Sequence, residues 1–230
     1  MTEEYSHGLR VRPRSARRLE VALMHARVLR LRGSAAQVDD GIDMFKSRVA
    51  PALKEQDGYT GARLMVNRET SAGMSITFWR DEQTLHASDS ALTNVRGEAS
   101  SRFGAETPES ENYEAVVQHR PQPTESGNWV RVTGLQGDPA KLDQGIRHYE
   151  STVVPAVSRL TGFRGAVLFV DRATGKSLAA TVWNTKQDLE ASSNEVTSIR
   201  ATAAEEIGAT NPQVENYEVA FAELLSPVRS

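Results

Sequence analysis

The chain repeats itself. Sliding it by about 104 positions lays Gly58-Tyr59-Thr60-Gly61-Ala62 over Gly162-Phe163-Arg164-Gly165-Ala166 and Arg68-Glu69-Thr70 over Arg172-Ala173-Thr174. The same shift lays Thr77-Phe78-Trp79 over Thr181-Val182-Trp183 and Glu111-Asn112-Tyr113-Glu114 over Glu215-Asn216-Tyr217-Glu218. About 35 of about 93 aligned positions are identical without a gap, far beyond chance for a repeat of this length. The protein is a tandem duplication, so any structure assigned to one half must also suit the other.

Both halves carry the same succession of elements. Ala26 to Arg32 and Val130 to Gln136 are β-branched or Leu-containing runs closed by Gly33 and Gly137, as a first strand would be. Val38, Ile42, Phe45, Val49 and Leu53 come next at spacings of three and four, with Leu142, Ile146, Tyr149, Val153 and Val157 in the second copy, so each copy has an amphipathic helix. Ser34 and Asp138 are its expected N-caps, and Pro51 and Pro155 should disturb its last turns.

A glycine turn leads to Arg63–Asn67 and Val167–Asp171, a hairpin, and then Met74–Trp79 and Leu178–Trp183. A second stripe begins at Leu85 and Leu189, with Asp81 and Thr185 as N-caps and Gly104 and Gly208 as C-terminal stops. Asn112 to Val117 and Asn216 to Phe221 finish each copy as a fourth strand. The order βαββαβ, twice, predicts an α+β fold of two ferredoxin-like repeats with both helices on one sheet face. The other face needs cover, so the two sheets should close on each other as an intrachain pseudo-dimeric barrel. The expected layout is a basic tail over 1–24, repeat one over 25–119, a linker over 120–128, repeat two over 129–223 and a short tail over 224–230.

Composition narrows the chemistry. With 230 residues, 39% hydrophobic, 25% charged and a net charge of −3, the chain is a globular protein and not a dedicated nucleic-acid binder, which would need a basic surface. Zero cysteines exclude disulfides, thiolate nucleophiles, iron–sulfur clusters and cysteine-held zinc, and point to the cytoplasm. No window approaches about 18 apolar residues, so no membrane partner is expected. Arg10, Arg12, Arg14, Arg17 and Arg18 stand outside the repeat, and Met24 just before the first strand suggests a translation start there. The five histidines, His7, His25, His86, His119 and His148, lack metal-ligand spacing, and nucleotide fingerprints such as GxGxxG are absent.

The ordered set of Pro51/Pro155, the Gly-Tyr/Phe-x-Gly-Ala turn, the Arg-x-Thr hairpin, Thr-x-Trp at Thr77–Trp79 and Thr181–Trp183, and the Leu-x-Ala-Ser helix start at Leu85 and Leu189 resembles the antibiotic biosynthesis monooxygenase-like family of dimeric α/β barrels. The resemblance implies a ligand cavity between sheet and helices in each half. It also implies, as activities to consider, cofactor-independent oxidation of polycyclic phenols by molecular oxygen, haem degradation, or no catalysis at all. The haem-degrading members' Asn on the first strand is missing: Arg27 and Arg131 stand on the first strands. His86 falls nearer the tryptophan than the family's haem ligand and is replaced by Glu190 in repeat two. Haem is therefore not favoured, and no cofactor or metal is expected.

Polar positions that differ between copies mark where one half could specialise. His148 and Tyr149 replace Met44 and Phe45, and a His–Tyr step facing a pocket could deprotonate a phenol; the alternative is a surface histidine beside a satisfied core tyrosine. His86 is a second candidate base. Tyr149, Trp79 and Trp183 would wall the pocket, although buried tryptophans also serve packing alone. Arg27 and Arg131 lie on strands covered on both sides and need a partner, either Glu111 and Glu215 or an anionic ligand. Arg96 and Arg200 are expected to pair with Glu114 and Glu218. The expected partner is an apolar aromatic small molecule, with molecular oxygen if the protein is catalytic. The competing expectation is a non-catalytic ligand carrier or degenerate barrel, either a monomer or a higher homo-oligomer.

Overall fold

The computed structural model describes residues 24–105, 108–206 and 208–225. The basic segment before Met24 lies outside them; Met24 itself opens the first strand. Repeat one runs β1 (Met24–Arg32), α1 (35–54), β2 (Tyr59–Asn67), β3 (Ala72–Trp79), α2 (Glu82–Arg102) and β4 (Glu109–His119). Repeat two runs β5 (Trp129–Gln136), α3 (139–157), β6 (Phe163–Val170), β7 (Lys176–Trp183), α4 (186–206, with a break at Ser192) and β8 (Thr210–Leu224). The βαββαβ order expected from the repeat is present in both copies.

The strands form one closed antiparallel barrel in the order β1-β3-β2-β8-β5-β7-β6-β4. The two repeats join at two seams, β2 with β8 and β4 with β6. Closure removes both free sheet edges of each ferredoxin-like unit, which would otherwise present unpaired N–H and C=O groups. Alternation along the strands then divides the core in three. Val28, Met65, Met74, Phe78, Phe169, Leu178 and Val219 fill the barrel interior. Separate layers under α1/α2 and α3/α4 hold Trp79 and Trp183 respectively.

Both prolines sit where the first helices change pitch. Phe45–Val49 and Tyr149–Val153 are π-helical turns leading into Ala50–Lys54 and Val154–Val157, and Pro51 and Pro155 lie in the first turn of those two segments. A proline has no N–H to donate, so a wider turn just before it lets the helix continue past the missing bond. Asp81 and Thr185 cap α2 and α4 as expected, accepting from Thr84 N and Asp188 N. Asp138 accepts from Ala140 N, whereas Ser34 makes no capping bond. Gly104 and Gly208 take φ of 77° and 64°, the left-handed stop that a side chain would strain.

The acidic residues of the last strands serve the seams. Arg68 reaches Glu218 at 3.3 Å and Asp39 at 2.9 Å; Arg172 reaches Glu114 at 2.9 Å and Asp143 at 2.8 Å. The expected pairing of Glu114 and Glu218 with Arg96 and Arg200 is therefore wrong. Each hairpin arginine leans across the seam to the other repeat's last strand, a contact visible only once the barrel is closed. Glu111 and Glu215 likewise turn to the mouth of the barrel, where Glu111 meets Lys176 at 2.7 Å and Glu215 pairs with Arg30. They are unavailable to Arg27 and Arg131 because the register sets Arg27 opposite Asn112, one residue away, and a one-residue step in a strand changes face.

Candidate functional site

A cavity lies in repeat two between the outer face of its sheet and helices α3 and α4. Leu142, Ile146, Tyr149, Val153, Leu168, Val170, Val196 and Ile199 make up much of the wall, and Arg131, Thr133, Ser177, Thr181 and Arg200 supply its polar atoms. The cavity's volume is about 80 Å³, more than a single water needs. A concave, mostly apolar chamber with few convergent polar groups is the usual form of a small-molecule site.

Repeat one fills one end of the matching space with a side chain of its own. The Phe103 ring is 2% exposed and belongs to the same buried cluster as Val38, Ile42 and Phe45. Three glycines make room for it: a Cβ on Gly41 would lie 2.5 Å from the ring, one on Gly73 2.8 Å, and one on Gly33 would collide with Phe103 outright. Gly73 is replaced by Ser177, on the cavity wall, in repeat two; Ile207, which matches Phe103, lies outside the described residues.

The sequence candidates divide clearly. Tyr149 and Arg131 line the cavity. The Tyr149 hydroxyl donates to Val167 O at 3.4 Å, a long bond, and burial pushes its phenol well above the ordinary range. Trp79 and Trp183 are fully buried between sheet and helices; their indole N–H groups donate to Thr77 Oγ1 at 3.0 Å and Thr181 Oγ1 at 3.1 Å. Each packs edge-on against an aromatic neighbour, Tyr59 at 5.9 Å and Phe163 at 6.0 Å. Trp183 thus backs the wall through Thr181 without lining it. His148 and His86 are not among the lining residues. His86 is exposed on repeat one, 3.7 Å from both Glu82 and Asp89.

Arg27 and Arg131 each insert under the second helix of their repeat. Arg27 donates to Asn112 Oδ1 at 3.2 Å and Leu85 O at 3.3 Å, and pairs with Asp89 at 2.6 Å. Arg131 donates to Ser192 Oγ at 2.9 Å, Leu189 O at 2.7 Å and Ser193 Oγ at 2.8 Å. Desolvation first, and then the charge of Arg200, pull the Arg131 guanidinium down to about 10, so it is fully charged at neutral pH. Sequence reasoning missed Asp89, Arg200 as a wall residue, and a pair inside the barrel, Arg63 and Arg120, stacked over Phe78 at 5.6 and 5.3 Å.

Among the described residues no group of three or more His, Asp or Glu is placed to hold a metal ion. Haem finds no ligand in this cavity either: among the described residues no histidine lines it, and its one phenol is turned onto Val167 O. No helix among the described residues is long and apolar enough to cross a membrane.

Comparison with known proteins agrees with the architecture. No family model matches the chain. An uncharacterized protein of Mycobacterium tuberculosis H37Rv is 29% identical over 205 residues, covering 89% of this chain and 91% of its own. A second uncharacterized protein of that strain is 27% identical over 207 residues, covering 90% and 87%. Among solved structures, an anthrone oxidase-like protein superposes with a TM-score of 0.67 at 11% identity, over 89% of this chain and 94% of its own. A Lactobacillus acidophilus protein proposed to be a monooxygenase gives 0.66 at 8% identity, over 88% and 96%. The fold is that of the antibiotic biosynthesis monooxygenase-like α/β barrels, with the two halves of the dimer carried in one chain.

Proposed function

We propose that the protein binds an apolar, ring-containing small molecule in the cavity of repeat two, and that repeat one is the half that has lost its site and completes the barrel. The observation that carries this is the contrast between the open chamber under α3 and α4 and the space under α1 and α2 that Phe103 fills. The chamber has mostly apolar walls, and the described residues that line it include no histidine or carboxylate, which suits binding better than acid–base chemistry.

Oxidation of the bound molecule is the second reading, supported by the likeness of fold to a protein described as anthrone oxidase-like. In that chemistry a phenolic substrate loses a proton and its carbanion gives electrons directly to molecular oxygen; a ring CH₂ becomes C=O and one water leaves. Tyr149 would position the substrate oxygen, and His148, next to it on α3, would have to turn inward to accept the proton.

Thermal shift and dissolved-oxygen uptake with anthrone separate the readings. Binding raises the melting temperature because only the folded state holds the ligand. Val153→Trp, which fills the chamber, should abolish that shift. Oxygen uptake that His148→Ala slows supports oxidation, whereas a shift without uptake supports a carrier. No shift with anthrone or any ring-containing apolar compound would remove the binding reading.

A further inference from the structure

The two repeats neutralise the same pair of arginines differently. In repeat one Asp89 Oδ1 lies 2.6 Å from Arg27 and 3.1 Å from Arg96, bridging the two guanidinium groups. Repeat two keeps both arginines as Arg131 and Arg200 but has Ser193 in the place of Asp89. Arg131 is 3% exposed, and its bonds all run to uncharged oxygens of Ser192, Ser193 and Leu189. Arg200 Nε is buried with no partner. So is Asn216 Oδ1, whose counterpart Asn112 accepts from Arg27 Nε in repeat one.

A guanidinium taken from water without an anion is costly unless something else supplies the charge. Both of these cations lie on the wall of the cavity, and no ion pair reaches either from a carboxylate among the described residues. The rest of the wall is mostly apolar. Two convergent donors at one end of such a chamber suit an acid with a hydrocarbon body, since a planar guanidinium presents paired N–H groups to the two oxygens of a carboxylate.

We propose that the cavity of repeat two takes a small aromatic carboxylate, held between Arg131 and Arg200 where Asp89 stands in repeat one. This rests on the binding reading above and specifies its ligand class. Repeat one then carries a built-in counterpart of the ligand's charged end, the Asp89 carboxylate.

The test compares benzoate with benzamide by calorimetry at constant ionic strength, in the wild type and in Ser193→Asp. The wild type should bind benzoate about tenfold or more tighter than benzamide. Ser193→Asp restores the charge arrangement of repeat one, so it should fold at least as well as the wild type. It should lose that preference for benzoate while keeping its benzamide affinity. Arg200→Gln, at a half-buried position, should reduce the preference in the same direction. Equal binding of benzoate and benzamide, or a preference that Ser193→Asp leaves intact, overturns the proposal while the binding reading stands. Inorganic phosphate that competes as strongly as benzoate overturns it too, because the apolar body would then contribute nothing. Failure of benzoate, benzamide and anthrone alike to bind removes both readings.

Discussion

Ser193 Oγ accepts a hydrogen bond from Arg131 Nη2 at 2.8 Å, in the place where Asp89 forms a 2.6 Å ion pair with Arg27. The difference at this one position separates a neutralised arginine cluster from a cationic one. Other differences nearby agree: Phe45 becomes Tyr149, Gly73 becomes Ser177, and an open chamber stands in repeat two where Phe103 packs in repeat one.

Removing the bridging carboxylate should weaken the first half. Asp89→Ser leaves Arg27, buried, beside Arg96 with no anion between them. The expected loss is about 1–3 kcal/mol in urea unfolding; the lower end applies because the Asp89 side chain is half exposed and screened by solvent. An unchanged unfolding midpoint would mean that Asp89 does not neutralise the pair.

Emptying the filled half tests the role of Phe103. Phe103→Ala should cost about 3–5 kcal/mol, since a buried ring is lost and the glycines around it cannot close the gap. Benzene should recover part of that stability by entering the new space. A loss below about 1 kcal/mol, or no response to benzene, would show that the ring is not a plug.

Inside the barrel the expectation has the opposite sign. Arg63 is buried, and its charge faces Arg120 across the Phe78 ring; burial and then that like charge pull it down to about 9. Repeat two has Val167 at the matching position, fully packed. Arg63→Leu should therefore keep or raise stability, by about 1 kcal/mol or more. A clear loss in thermal melts would reveal a favourable role for the buried charge.

Acid stability should depend on a helix cap. The Thr84 N–H, followed by Arg80, holds the Asp81 carboxyl down at about 2, below its ordinary 3.8. A lowered carboxyl contributes stability above the higher value and loses it as pH falls from 3.8 toward about 2. Asp81→Asn keeps an oxygen to cap with but removes the titration, so its acid unfolding curve should be flatter across that window. Parallel curves for the two proteins would contradict this origin.

Much of the fold was legible from the repeat, because side-chain periodicity and turn glycines report local geometry and the duplication lets each element be checked twice. The elements, three of the four N-cap assignments and both glycine stops come from that information. What sequence could not supply was which face meets which. Glu114 and Glu218 look like partners for nearby arginines within a repeat, but barrel closure hands them to Arg172 and Arg68 across the seams. The site was half legible: Tyr149 stands out as a hydroxyl on an apolar stripe and Arg131 as a charge on a covered strand. Asp89 and Ser193 carried no signal, because both occupy one polar position near the start of a helix. Only the packing of α2 and α4 onto the first strands brings this position against Arg27 and Arg131.

If repeat two alone holds a working site for an aromatic acid, crystals soaked with 4-bromobenzoate and measured at the bromine absorption edge will show where the acid lies. One anomalous peak is expected in the chamber walled by Tyr149, Val153 and Ile199, with the carboxylate against Arg131 and Arg200, and none under α1 and α2. A peak beneath Phe103 or within the barrel, with the repeat-two chamber empty, would contradict it.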